Sequence, residues 1–324
     1  MAAKPASFLV RAALAVGILL TLGTVSTAAA EKYASIVIDL ETDDVLHARH
    51  ADAPRYPASL TKAMTLYMLF DAMKAGEVKL YEQLPVSRAA ASQPPSSLRL
   101  RAGATITTKD AINALITKSA NDVAVVVAER LGGTEQRFAT LMTAKAKSMG
   151  MDSTTFKNAS GLPNAQQLST ARDMSVLARR LLDDHADYYG YFANTKFSWG
   201  RATYKNHNQL IGRVVGVDGI KTGYTRASGF NLMASAKRRG RRVVAIMFGG
   251  STARSRDQHV TDLIEAAYKS FEPSDVAPEL RTRISFSDIQ PPLEPNGAAM
   301  PVLNGRVFGA DAIVAEGDEG SKSD

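Results

Sequence analysis

The chain predicts an α/β protein in which an antiparallel sheet is flanked by helices and interrupted by an inserted all-helical subdomain. Three observations carry that prediction. Strand-forming runs lie at both ends of the core, at 33–40 and 229–248. A largely helical stretch runs between them from about Ser87 to Asp187, and apolar residues return at helical spacing from Asp257 to Phe271.

Each element follows from local pattern. Lys4 and Arg11 precede the apolar run Ala12–Leu20, and small residues end in Ala28-Ala29-Ala30 before Glu31, so residues 1–30 read as a secretory signal peptide. Cleavage after Ala30 is expected, retention as an anchor being the other possibility. Tyr33–Leu40 is a strand, Glu41–Asp44 a turn and Val45–Arg49 a returning strand. Ala63, Leu66, Phe70 and Met73 recur at helical spacing between Ser59 and Ala75, and Gly76 supplies the stop. Thr107-Thr108-Lys109-Asp110 caps a helix opening at Ala111, Asp122–Leu131 ends at Gly132-Gly133, and a further helix runs from about Ala171 to Leu182. Asp183-Asp184-His185 reads as its solvated end. Gly229–Ala236, the turn Lys237–Arg241 and Arg242–Phe248 make a second hairpin. The folded domain is expected to span 31–272. Residues 273–324, richer in Pro, Gly, Asp and Glu, are expected to be extended and then disordered.

Composition excludes several chemistries. The 324 residues contain no cysteine, which removes thiol nucleophiles, cysteine-ligated zinc and iron–sulfur clusters. The five histidines are scattered and form no H-E-x-x-H pattern, so no metal site and no cofactor are expected. The net charge of +7 becomes +5 once Lys4 and Arg11 are removed with the signal. Such a surface is drawn to polyanions, and outside the cytoplasm these are membrane head groups and cell-wall polymers. No nucleic-acid partner is expected, because the basic turn Lys237–Arg241 has no interleaved aromatics on which bases could stack.

Three short patterns carry chemistry. Ser59-Leu60-Thr61-Lys62 opens a helix, Ser119-Ala120-Asn121 lies between two helices, and Lys221-Thr222-Gly223 precedes the second hairpin. Each has an ordinary reading alone: Ser59 and Ser119 as helix caps, Asn121 as a turn residue, Lys221 as an exposed strand end. Their joint occurrence in this order is what those readings leave unexplained. A serine hydroxyl needs a base before it attacks, and positions i and i+3 share a helix face, so Lys62 reaches Ser59. Burial and the charge of Lys221 both favour a neutral Lys62, the form a base requires. Ser119 is placed to relay a proton to the leaving amine, and Asn121 either to orient Lys62 or to hold substrate backbone. The Ser59 N–H, at a helix start, and the Tyr224 N–H, on the following strand, are candidate oxyanion donors. Gly223 lets substrate backbone come close.

Beyond these patterns, the chain carries Asn158-Ala159-Ser160-Gly161-Leu162-Pro163, Ser169-Thr170-Ala171-Arg172-Asp173-Met174 and Gly216-Val217-Asp218-Gly219-Ile220 leading into Lys221-Thr222-Gly223-Tyr224-Thr225. From about Tyr33 to Phe271 it resembles the low-molecular-mass penicillin-binding proteins, the serine D-alanyl-D-alanine carboxypeptidases of the cell wall. The resemblance implies a β-lactamase/transpeptidase-like fold and an acyl-enzyme on Ser59. It implies removal of the terminal D-alanine from peptidoglycan stem peptides, with covalent inhibition by β-lactam antibiotics. It also implies that Thr222 and Thr225 bind the terminal carboxylate together with an arginine, Arg256 being the best match and Arg254 the second. A periplasmic location is implied, and the acidic last stretch supports no C-terminal membrane anchor. A D,D-endopeptidase would share this machinery. A class A-like β-lactamase would need a carboxylate to activate the deacylating water, yet 158–173 holds no glutamate and its one acid, Asp173, falls in a helix. A non-catalytic penicillin-sensing module would have no need of both lysines and the serine.

Overall fold

A computed structural model describes residues 32–272, 285–289 and 291. The expected signal, 1–30, lies outside the described residues, as does most of the expected tail. Strands β1 (Ala34–Asp39) and β2 (Val45–Arg49) form the first hairpin, and a 3₁₀ turn, Ala58–Leu60, leads into α1 (Thr61–Lys74). The helical block follows, with β3 (Gln83–Pro85), α2 (Arg88–Ala91), β4 (Thr105–Thr107), α3 (Thr108–Thr117), α4 (Asn121–Gly132) and α5 (Glu135–Ser148). Next come α6 (Ala171–Asp184), the single turn α7 (Ala186–Tyr189) and a small hairpin of β5 (Lys196–Trp199) and β6 (Ala202–Lys205). The chain then forms β7 (Val217–Thr225), β8 (Gly229–Arg238), β9 (Arg241–Gly250) and α8 (Ala253–Ser270).

The main sheet has the order β2-β1-β9-β8-β7, every neighbouring pair antiparallel, so the first hairpin is joined to the last through β1 and β9. Alternation along β9 shows how both faces are covered. Val243, Ala245 and Met247 share a core with Val260, Leu263 and Ile264 of α8. Val244, Ile246 and Phe248 belong to the larger core of α1, α6 and the helical block. Burial on both faces is why these strands read as continuous apolar runs rather than as alternating ones.

Several boundaries differ from expectation. Ser59 lies in the 3₁₀ turn, and α1 begins at Thr61. The last helix starts at Ala253, four residues before the apolar period begins, because Thr252 and Ser255 form a reciprocal capping box. His185 is not solvated: it is buried, edge-on to Tyr67 with ring centres 4.5 Å apart. The reason is tertiary, since α6 packs on α1 and the Tyr67 hydroxyl donates to Asp184 Oδ2 at 2.6 Å. Residues 285–289, inside the segment expected to be extended, form a 3₁₀ turn in which Ile289 is buried and Phe286 stacks on His47. In the basic turn, Arg238 pairs with Glu265, Arg241 with Asp39 and Arg242 with Asp218.

Burial holds the His185 imidazole below its ordinary pKa, Asp71 beside it pulling the other way. A histidine of this kind stabilises the fold fully above its ordinary value of about 6.5. Below that the unfolded chain takes a proton that the folded chain refuses, so stability falls. We expect the Tm advantage of wild type over His185→Phe to shrink as pH is lowered from 7.5 to 5, measured by thermal melting. A constant difference would remove His185 as a contributor.

Candidate active site

The three patterns converge at one cavity of about 570 Å³ whose lining includes Ser59, Ser119, Asn121, Thr222, Gly223, Tyr224 and Thr225. Lys62 and Lys221 are buried and are not among its lining residues. Lys62 Nζ lies 3.1 Å from Ser59 Oγ, 2.7 Å from Asn121 Oδ1 and 2.7 Å from the Ser160 carbonyl. A protonated amine donates to all three. A neutral one donates to the two carbonyl oxygens and turns its lone pair to the serine hydroxyl, so the same geometry suits a base before and after proton transfer.

Three anchors hold this pair. Asn121 is fixed at both ends of its amide, since Nδ2 donates to the Pro94 carbonyl at 3.0 Å, and its oxygen is thereby committed to Lys62. The segment 158–161 is wrapped around the Asn158 side chain, whose Oδ1 accepts from the Ser160 and Gly161 N–H groups. Gly161 has φ +88°, and a Cβ there would lie 1.8 Å from the Ala58 carbonyl oxygen, so only glycine lets this segment close on the Ser59 turn. Asn231 supplies the third anchor. Its Nδ2 donates to the Tyr56 carbonyl at 3.0 Å and its Oδ1 accepts from Gly249 N–H, which ties the approach to Ser59 onto the sheet.

Ser119 is buried in a left-handed conformation, φ +59°, and its hydroxyl has no hydrogen-bond partner among the described residues. Ala58, beside the serine, is likewise at φ +48°. Such backbone strain gathers where the surrounding structure over-determines a site. Lys221 Nζ donates to the Thr222 carbonyl at 3.0 Å. At Gly223 an added Cβ would sit 3.0 Å from Ser59 N, so β7 and the serine turn approach as closely as backbone allows.

Arg256 is placed differently from the other expected residues. It is buried, its guanidinium pairs with Asp257 at 2.9 Å, and it does not line the cavity. Arg254 is exposed. Asp173 lies in the first turn of α6, its N–H capped by Thr170, and its carboxylate accepts from Thr154 Oγ1 at 2.6 Å and from Ser153 N–H, so it is committed to the fold. Sequence reasoning missed Asn231 and Glu135. Glu135 Oε1 accepts the Ala159 N–H at 3.0 Å. Burial pushes its carboxyl up, while that N–H and the charge of Lys62 pull it down. Neither residue carries a local signal, because what each holds is distant in sequence.

The fold is β-lactamase/transpeptidase-like, an antiparallel sheet with a helical block packed against it. The sequence profile of the D-alanyl-D-alanine carboxypeptidase peptidases matches residues 22–252, and the chain belongs to that family. It is 34% identical over 256 residues to the D-alanyl-D-alanine carboxypeptidase DacF of Bacillus subtilis, a match covering 76% of this chain and 64% of that protein. It thus spans a little under two thirds of that relative. Penicillin binding protein 5 from Haemophilus influenzae superposes with a TM-score of 0.70 at 28% identity, over 72% of this chain and 70% of the other. A Listeria monocytogenes penicillin-binding protein with bound ampicillin does so at 0.64 and 31%, over 72% and 96%.

Proposed function

We propose that the chain is an exported serine-type carboxypeptidase that removes the terminal D-alanine from peptidoglycan stem peptides in the periplasm and is acylated by β-lactams. The observation that carries this reading is the three-way seat of Lys62 Nζ on Ser59, Asn121 and Ser160 beside the cavity-lining end of β7. In the proposed cycle Ser59 Oγ attacks the carbonyl of the penultimate D-alanine and passes its proton to Lys62. The oxyanion is met by the N–H groups of Ser59 and Tyr224. The Ser119 hydroxyl hands its proton to the departing D-alanine amine and is refilled from Lys62, which, neutral again, takes a proton from the water that attacks the ester and returns it to Ser59 Oγ as the acid leaves. Family membership supports the reading, as does the absence of any carboxylate from the cavity lining, which leaves no acid there to activate water against a penicillin adduct. Among the described residues no helix is long and apolar enough to cross a membrane.

D-Alanine release from a peptide ending in D-Ala-D-Ala tests the activity, and a cross-linked peptide dimer tests the endopeptidase alternative. Preferential cleavage of the dimer would replace the carboxypeptidase reading. The proposed carboxylate seat is Thr222 and Thr225, with Arg256 supplying positive charge from within the core. Through-space attraction between unit charges near a protein surface is worth roughly 1–4 kcal/mol, so Arg256→Ala is expected to lower kcat/KM by about ten- to a hundredfold. A peptide amidated at its C-terminus should be affected much less. If both substrates lose activity equally, Arg256 is structural and Arg254 takes the assignment.

A further inference from the structure

The cavity holds more positive charge than the proposed chemistry uses. Its lining includes Arg99, Lys118 and His207 but no aspartate or glutamate. Several arginines elsewhere are paired, Arg130 with Glu82, Arg172 with Asp52 and Arg242 with Asp218. Arg99 and Lys118 have no ion-pair partner among the described residues.

Arg99 is also held in place at a cost. It is exposed, and its backbone sits at φ +58°, in the same left-handed region as Ser119 at this cavity. The buried Asp122 carboxylate enforces that turn, accepting the Leu98 N–H through Oδ1 and the Leu100 N–H through Oδ2, both at 3.1 Å, so the chain is clamped on either side of Arg99. The same loop is tied to the second cation, because Ser96 Oγ donates to the Lys118 carbonyl at 2.8 Å. Lys118 Nζ lies 5.0 Å from the centre of the Tyr204 ring, and that ring also lines the cavity.

We infer that Arg99 and Lys118 form an anion subsite for the peptide substrate, taking a carboxylate on the side chain of the residue that precedes the D-alanyl-D-alanine pair. The inference rests on the carboxypeptidase reading above. That reading places the C-terminal carboxylate against Thr222 and Thr225 of β7, and neither cation comes from β7, so they are left for a second carboxylate on the same peptide. A cavity of about 570 Å³ is large enough to enclose that residue along with the scissile pair. Two cations without an acidic partner, in a lining that holds no acid, favour an anionic occupant and penalise a cationic one.

The test uses three peptides ending in D-Ala-D-Ala that differ only in the preceding side chain, which ends in a carboxylate, its amide or an amine. Wild type is expected to favour the carboxylate over the amide by about tenfold in kcat/KM, the scale of one charge-assisted hydrogen bond. Arg99→Gln and Lys118→Gln should each reduce that ratio, and Arg99→Glu should move the preference toward the amine. The reversal is a readout that a merely structural arginine would not give. Equal turnover of carboxylate and amide peptides by wild type, or a preference that survives Arg99→Glu, overturns the subsite while leaving the carboxypeptidase reading intact. Failure of wild type to release D-alanine from any of the three overturns both.

Discussion

Ser59→Ala abolishes both covalent labelling by a fluorescent penicillin and release of D-alanine, in the result we expect, and leaves the melting curve close to wild type. The hydroxyl lines the cavity 3.1 Å from the Lys62 amine, and without it no acyl-enzyme can form. The loss in kcat/KM should reach at least about 10⁴-fold, as when the nucleophile is removed from other serine hydrolases. Stability should hold because the half-buried hydroxyl contributes one hydrogen bond, and alanine suits the same short turn. Mass spectrometry of penicillin-treated variant protein is the decisive measurement. An adduct on any other residue would show that the nucleophile has been misassigned.

The second large effect is expected at Lys62. Replacing it by methionine keeps the volume of the buried stem and removes the amine, so acylation should slow by about 10²- to 10⁴-fold, the range associated with a positioned base. Lys62→Ala should lose acylation to a similar degree and also lose stability. Truncation opens a cavity and leaves Asn121 Oδ1 and the Ser160 carbonyl without their donor, at a cost of about 1–3 kcal/mol for each unsatisfied group. Stopped-flow acylation separates the two contributions when set beside thermal melting. A normal labelling rate for Lys62→Met at neutral pH would exclude Lys62 as the base.

Much of this architecture was legible because its signals are local. The hairpin at 34–49, the helix behind Ser59 and the hairpin at 229–250 each rest on a period and a turn that a short window contains. The three motifs were legible for a different reason: each is compact, and their order is visible without knowing how they meet. What could not be read depends on contacts between distant segments. His185 looks like a polar helix end until α6 is laid on α1 and Tyr67 and Phe70 cover it. Asn231 appears as one polar residue within a strand, and only the fold brings Tyr56 and Gly249 to its amide. Arg256 was matched by its position near the last strand. Its burial and its pairing with its own neighbour Asp257 follow from how α8 lies against the sheet.

The place of β7 at the border of the sheet has a consequence for association with other chains. An exposed strand border is a template for unwanted pairing, and proteins usually blunt it. Here the first half of β7 is blunted by cover: Asn208 donates to the Gly219 carbonyl at 3.0 Å, and Tyr189 and Phe192 crowd the Gly219 Cα. Only Thr222–Thr225 faces the cavity, about 13 Å of strand at some 3.3 Å per residue. A run of that length accepts the last two or three residues of a peptide, and it is too short to nucleate a continuous sheet between two copies of the protein. The border is therefore self-limiting, long enough to pair with a chain end and too short to start an aggregate.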